Sequence, residues 1–281
     1  GGHMYPTKSF DDEEQKVEHA IRHARVLDAI ASYDDISGSF GWCMADYNTH
    51  KDFGSGDRIC YHGVTDMFRN PKLAAAVYSS QGRTPMLEIS SSMDIGDHPA
   101  CIRGDIWAFT NADSIRTYKD GEFVKEYTGK NDGKFPHLAH SPILIDGFVS
   151  KVDDWGGASI AYRFDAVLDG KVVKSVTKIP MTHGSLEIKA YKTTLIESES
   201  YDVTAIRIRA VDEYGNTLYY SSEPIVATTE GPVEILGPSV TSLKGGVGAI
   251  YVKTVGKSGK ATVTLHTPSL GDLTVNLEVR A

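Results

Sequence analysis

The sequence predicts a mixed, mainly β protein in which the tail of an alternating α/β unit, residues 1–82, precedes two antiparallel β-sandwiches, residues 83–184 and 185–281. Apolar residues recur at helical spacing before residue 82, and alternating or β-branched runs dominate after residue 84. Turn pairs such as Asp120–Gly121 and Asp169–Gly170 separate those runs. Together these observations favour sandwich modules that follow a helix-containing segment.

The composition is that of an ordinary globular protein, with 41% hydrophobic and 23% charged residues among 281. A net charge of −8 gives no electrostatic support to a nucleic acid or an anionic membrane as partner. The sequence contains no run of 18 apolar residues, which is about the length needed to span a bilayer. We expect Cys43, Cys60 and Cys101 to be free, mostly buried thiols.

The first predicted element is a helix within residues 9–32. One face carries the apolar side chains, which are Val17, Ala20, Ile21, Ala24, Leu27 and Ala31. Asp11 and Glu14 have the spacing of a capping box. His19 and His23 have the spacing of a metal-binding pair, but no third ligand is evident, so we expect both to face solvent.

A short buried strand is predicted at residues 36–44, and a helix at residues 70–81 with Asn70 as N-cap and Pro71 in the first helical position. A polar loop, residues 41–63, leads from one to the other. A lone strand of a parallel sheet needs neighbours on both sides. We therefore expect residues 1–82 to be the end of a larger domain.

The 41–63 loop is crowded with aromatic and hydrogen-bonding side chains. Trp42 could form an apolar platform for a sugar ring. The side chains that could bind hydroxyl groups are Asp46, Asn48, His50, Asp52, Asp57, Arg58 and His62. Alternatively, Asp52, Asp57 and Arg58 form a local network of ion pairs and turns, with Trp42 in a core. The residue pattern leaves both interpretations open.

The β modules carry no recognisable catalytic motif. The expected strands lie within 85–90, 105–111, 114–128, 158–178, 185–191, 201–221, 224–230, 249–255 and 260–267. Residues 146–157 are interpreted as a loop inside the first sandwich. We expect these modules to buttress a catalytic domain, and carbohydrate binding by them stays open.

Residues 3–81 resemble the last part of the catalytic (β/α)8 barrel of glycoside hydrolase family 2, in its β-galactosidase branch. The most specific motif is DFGSGDRICYHGVTDMFRNPK, residues 52–72. DIWAFTNADSIRTYKDGEFVKEY and YDVTAIRIRAVDEYGN are similar to the two immunoglobulin-like domains that follow that barrel. Ala45 departs from the pattern, because many relatives carry a bulky aromatic there.

The resemblance implies retaining hydrolysis of terminal β-galactosides by two glutamates, an acid/base and a nucleophile, about 5–5.5 Å apart. The family's nucleophile lies a few residues before a His-Met pair that His3-Met4 matches. The resemblance therefore places both glutamates upstream of this chain. No catalytic residue, cofactor or metal is expected here, and the implied partners are a β-galactoside or oligosaccharide and the N-terminal remainder of the enzyme.

The resemblance also assigns residues to the sugar subsite. His3 matches a histidine that contacts sugar hydroxyls, and Trp42 matches the tryptophan that floors the galactose subsite. Asp46, Asn48 and His62 lie where that branch lines the subsite. His50, Asp57 and Arg58 remain substrate-binding candidates from the chemistry of the loop.

Two alternatives remain at this stage. One is a non-catalytic carbohydrate-binding or scaffolding β-sandwich protein. The other is a family 2 enzyme of different specificity, such as a β-glucuronidase, in which Lys51 or Arg58 would bind the carboxylate. A periplasmic or secreted location is favoured over a cytoplasmic one, and homo-oligomerisation stays open.

Overall fold

The computed structural model describes residues 5–53, 56–98, 101–129, 134–149 and 158–281. The chain divides into two compact units, residues 1–180 and 181–281. The boundary between the two units, at residues 180 and 181, lies near the boundary expected between residues 184 and 185. Residues 1–82 and the strands that follow share the first unit, so the three-domain division stays a prediction.

The described part of the first unit contains two helices, one 3-10 turn (Ile95–Asp97) and nine strands. The helices are α1 (Glu13–Ala31) and α2 (Leu73–Ser79). The strands are β1 (Tyr47–Asn48), β2 (Ile59–Cys60), β3 (Leu87–Ile89), β4 (Ile106–Thr110), β5 (Ser114–Lys119), β6 (Glu122–Thr128), β7 (Ile143–Ile145), β8 (Tyr162–Leu168) and β9 (Lys171–Lys178). They pair antiparallel as β1-β2, β3-β4-β7 and β6-β5-β8-β9.

Strand β4 lies between two hydrophobic cores. Ile106 and Ala108 pack into the core that the two larger sheets share. Trp107 and Phe109 point the other way, into a core that contains residues of α1 and α2. Alternate side chains of a strand face opposite sides, so β4 joins the helical segment to the sheets.

Helix α1 is confirmed, but its cap and its histidines differ from expectation. Asp12, one residue after the predicted cap, accepts a hydrogen bond from the Gln15 amide. His19 and His23 are 0% and 1% exposed, so the prediction that both face solvent is wrong. They are buried because they border the apolar stripe, and their Nε2 atoms lie 3.2 Å apart.

The predicted strand at residues 36–44 is wrong. The structure describes all of these residues, and none of them belongs to a strand. Phe40 is fully exposed and Ile36 is 44% exposed. Extended backbone becomes a strand only beside a pairing partner, and residues 36–41 have none among the described strands.

Helix α2 begins at Leu73 rather than after Asn70. The Asn70 amide nitrogens, backbone and side chain, both donate to the carboxylate of Asp66 at 2.8 Å. Asn70 therefore closes a turn ahead of the helix instead of capping it, and Lys72 occupies the N-cap position.

The second unit consists of nine strands. They are β10 (Gly184–Ala190), β11 (Thr194–Ile196), β12 (Val203–Asp212), β13 (Pro224–Glu230), β14 (Val233–Leu236), β15 (Val240–Ser242), β16 (Val247–Thr254), β17 (Gly259–His266) and β18 (Leu273–Arg280). They form the sheets β10-β12-β16-β14 and β11-β18-β17-β13-β15. Residues of both sheets share one core, the arrangement of a sandwich. All pairs are antiparallel except β11 and β18, which are parallel.

The mainly β class is thus confirmed, and the barrel end and the immunoglobulin-like assignment stay predictions. Within the described residues, neither helix combines the length and the apolar content needed to cross a membrane. The three cysteines are free thiols, and Cys60 is the buried one, whereas Cys43 and Cys101 are half-buried.

Candidate functional site

The 41–63 loop is closed by a short hairpin near its middle. Strands β1 and β2 pair Tyr47 with Cys60 and Asn48 with Ile59. The Thr49 amide donates to the carbonyl of Arg58 at 2.7 Å and extends this pairing. The hairpin therefore presents residues 50–53 and 56–58 near its tip.

The base of the loop is tied to the segment that follows it. The amides of Val64 and Thr65 donate to the carbonyls of Cys43 and Met44 at 3.0 and 2.9 Å. Gly63 lies so close to this ladder that a Cβ atom there would be 2.2 Å from the Asp46 nitrogen. Only glycine fits such a contact between two backbones.

A buried ion pair fixes the same region. Asp46 Oδ1 accepts from the Gly63 amide at 2.9 Å and from Lys72 Nζ at 2.6 Å. Both side chains of the pair are 3% exposed. Lys72 Nζ also donates to the Thr7 carbonyl at 2.5 Å, so it links the loop to the chain ahead of α1.

Burial dominates the electrostatics of this pair. It raises the pKa of Asp46 to about 6, although Lys72 and the Gly63 amide act in the opposite direction. It also lowers the pKa of Lys72, against the attraction of Asp46. Asp46 thus organises the base of the loop, and its role as a sugar ligand stays a prediction.

Trp42 is not a core residue. Its side chain is 55% exposed, and Nε1 donates to the hydroxyl oxygen of Tyr47 at 3.3 Å. The two rings meet edge to face, with centroids 6.0 Å apart. Just before Trp42, the backbone of Gly41 packs against the hydroxyl group of Tyr78 on α2. The Trp42–Cys43 peptide bond is cis.

The remaining predicted residues lie along the hairpin and its flanks. His50 Nδ1 is 3.0 Å from Asp52 Oδ2, and both side chains are exposed. Asp57 accepts a hydrogen bond from the hydroxyl group of Tyr61. Asn48 and Arg58 are exposed, whereas His62 is half-buried.

The network interpretation of this loop joined Asp52, Asp57 and Arg58 around a Trp42 in the core. Trp42 is exposed instead, and Asp52 and Asp57 contact His50 and Tyr61. An ion pair of Arg58 stays a prediction. That Trp42 and His62 line the same sugar subsite stays a prediction. His3 lies outside the described residues.

Sequence reasoning missed the residues that hold the loop, namely Gly63, Lys72 and Tyr47. One signal was available for Lys72. A cation at a helix N-terminus opposes the helix dipole, so a lysine immediately before Leu73 required another partner. Among the described residues, no group of three or more His, Cys, Asp or Glu side chains is arranged to hold a metal ion.

Comparison with known proteins finds relatives whose sequences align with most of this chain. A β-galactosidase of Thermoanaerobacterium thermosulfurigenes is 38% identical over 253 residues, which are 87% of this chain and 35% of that protein. A β-galactosidase of Thermoanaerobacter pseudethanolicus is 34% identical over 271 residues, 92% of this chain and 35% of that protein. No protein-family model matches.

The fold has solved counterparts. The structure of a β-glucuronidase from glycoside hydrolase family 2 superposes with a TM-score of 0.68 at 17% identity, over 99% of this chain and 28% of that one. The sequence relatives and this structural counterpart are all glycoside hydrolases. The chain belongs to glycoside hydrolase family 2, in its β-galactosidase branch. It spans about a third of the length of these relatives, at their C-terminal end.

Proposed function

We propose that this chain is the C-terminal part of a retaining β-galactosidase and that the 41–63 loop forms one wall of its sugar subsite. In this proposal residues 1–82 end the catalytic barrel, and the two sandwiches are immunoglobulin-like. The acid/base and nucleophile glutamates belong to the N-terminal remainder, which is the chain's partner. The substrate is a terminal β-galactoside.

One observation supports the role of the loop above all others: an exposed Trp42 ring on a braced backbone. Tyr47 contacts the ring, and the buried Asp46–Lys72 pair ties down the segment that follows it. A subsite needs groups that are held in place before the ligand arrives, and the apolar face of an indole suits the C–H face of a galactose ring. His3, Asn48, His50, Asp57, Arg58 and His62 are the candidates for binding its hydroxyl groups.

The experiment measures hydrolysis of nitrophenyl β-galactoside by the 281-residue chain alone, by the chain mixed with the preceding polypeptide, and by the complete enzyme. We expect turnover only when the preceding polypeptide is present, because both carboxyl groups are needed for the retaining mechanism. Turnover by the chain alone would overturn the placement of the glutamates. Faster turnover of the β-glucuronide would instead favour the other specificity.

In the complete enzyme, Trp42→Ala is expected to raise KM for the β-galactoside about tenfold, through the loss of ring stacking. Tyr33→Ala is the matched control, because Tyr33 is also an exposed aromatic of the first unit, 60% exposed against 55% for Trp42. An unchanged KM in Trp42→Ala would remove the indole from the subsite.

A further inference from the structure

The outer face of the sheet β10-β12-β16-β14, in the second unit, carries a row of exposed apolar side chains. Tyr191 is 83% exposed, Leu236 is 41% exposed and Tyr251 is 37% exposed. The small side chain of Ala205 separates the two tyrosines. The 41–63 loop belongs to the first unit, so nothing in the proposed catalytic role uses this face.

The strand register places these four residues in one line across the sheet. The Tyr191 amide donates to the Ala205 carbonyl at 2.9 Å. Ala205 is paired with Tyr251, and Tyr251 with Leu236. Directly paired residues of antiparallel strands share a face, and neighbouring strands are about 4.8 Å apart. The tyrosines therefore stand about 10 Å apart, with a shallow step at Ala205 between them.

The tyrosine row (Tyr191, Ala205, Tyr251 and Leu236) is anchored at its centre by β12 and β16, and Tyr191, just after β10, is held by its backbone hydrogen bond to Ala205. The opposite face of β12 and β16 carries Ile206, Ile250 and Val252, which are 0%, 4% and 0% exposed in the core. Strands fixed in this way present aromatic rings at a constant spacing. Rigid presentation lowers the entropy lost when a ligand binds.

Charged side chains border the row on both sides. Next to Tyr251 and Leu236, Lys253 Nζ lies 2.8 Å from Glu234 Oε1. Next to Tyr191 and Ala205, the strand register pairs Lys189 with Arg207, which are both cations. The Lys253 ammonium group also lies over the ring of Tyr201, 5.0 Å from its centroid. These side chains supply several hydrogen-bond donors and a carboxylate acceptor to a ligand with many hydroxyl groups.

We propose that this row binds a neutral β-linked glycan chain that runs across the strands. Sugar rings stack on Tyr191 and Tyr251, whose separation is close to the length of a disaccharide. Side chains such as Lys253 and Glu234 exchange hydrogen bonds with the hydroxyl groups. Three apolar side chains make a contact far smaller than the roughly 800 Å² per partner of a stable protein interface, so a narrow glycan chain fits better.

The test is affinity gel electrophoresis of the 281-residue chain in gels that contain soluble β-1,4-galactan. The unmodified chain is expected to be retarded, and Tyr191→Ala or Tyr251→Ala to weaken binding about fivefold or more. Tyr214→Ala is the matched control, because Tyr214 is 54% exposed on a turn of the same unit. Thermal unfolding of each variant shows that it is folded.

Three binding results would overturn the proposal, and a fourth result, on the oligomeric state, would do so as well. The three binding results are no retardation by galactan, retardation by dextran sulfate alone, and an equal loss of binding in Tyr214→Ala. A changed oligomeric state of Tyr191→Ala with unchanged retardation would show a protein contact, and would also overturn it. Hydrolysis of a small aryl galactoside does not require this face, so failure here leaves the proposed catalytic role standing.

Discussion

The Asp46–Lys72 pair is the residue-scale contact that determines the base of the 41–63 loop. Removing two charges from water costs more than their attraction returns, so burial raises the pKa of Asp46 and lowers that of Lys72. The pair is therefore a determinant of position more than a source of stability. The pair holds the two ends of the loop together, because Asp46 binds the Gly63 amide, and it connects the loop to the chain ahead of α1 through Lys72.

This pair makes stability depend on pH in a specific direction. The pKa of Asp46 is about 6 in the folded chain, against an ordinary value of 3.8, so between these values the folded state binds the proton more tightly. The free energy of unfolding must therefore fall as the pH rises from about 4 to about 6, and this contribution levels off above that range.

We expect the variant Asp46→Asn with Lys72→Met to lose this fall, because neither side chain can then titrate. Asparagine keeps the oxygen that accepts from Gly63. The measurement is urea unfolding of the 281-residue chain at stepped pH values from 4 to 7. The control is Asp52→Asn with Lys51→Met, a pair of exposed residues of the same loop. A pH dependence equal to that of the unmodified chain would contradict the prediction.

At the scale of elements, α1, α2 and the segment before Trp42 meet at one point. His23 Nδ1 lies 2.8 Å from the hydroxyl oxygen of Tyr78, which in turn lies against Gly41. A Cβ atom on residue 41 would be 2.5 Å from that oxygen but 3.5 Å from the ring carbon that bears it. The hydroxyl group of Tyr78 is therefore the one group that would clash with a side chain at residue 41.

Gly41→Ala is therefore expected to destabilise the chain by about 1–3 kcal/mol, and Tyr78→Phe to relieve much of that cost. Tyr78→Phe alone should cost about 1 kcal/mol, through the lost hydrogen bond to His23. Urea unfolding of both single variants and the double variant gives the coupling energy. Gly38→Ala is the control, because no atom lies within 4 Å of a Cβ there. Additive effects at residues 41 and 78 would refute the contact.

Across the whole molecule, the segment of residues 36–44 departs most from the sequence prediction, because apolar side chains of a predicted buried strand are exposed there. Phe40 is fully exposed and Met44 is 62% exposed. Exposed apolar clusters of this kind usually mark contact surfaces. The chain spans about a third of its relatives' length, and we propose that the preceding polypeptide covers Phe40 and Met44 in the complete enzyme and leaves the Trp42 ring open to the substrate.

We expect the 281-residue chain alone to bind an apolar fluorescent dye and to self-associate, because this segment is uncovered. Phe40→Ser with Met44→Ser should reduce both signals, and so should addition of the preceding polypeptide. Light scattering and dye fluorescence measure the two effects. Tyr214→Ser, an exposed residue of the second unit, is the control and should change neither. Equal signals from the two variants would show that the segment is not the contact surface.

Sequence patterns predicted elements whose periodicity is strong over many residues. Helix α1 and strands such as β12 and β17 were found because each alternates or repeats along its own length. Strands β7 and β11 were missed because three residues carry too little periodicity. The alternation of β18 spans eight residues but mixes in Asn276 and Glu278, and it was missed as well.

By itself, the sequence determined the helix α1, the mainly β class and the family, because these follow from neighbouring residues and from motifs. Only the tertiary structure decided that Asp46 pairs with Lys72, that His19 is buried and that Phe40 is exposed. Those outcomes depend on contacts between residues far apart in the chain. Local periodicity carries no information about such contacts, because burial and charge pairing are set by whichever distant element packs against a side chain.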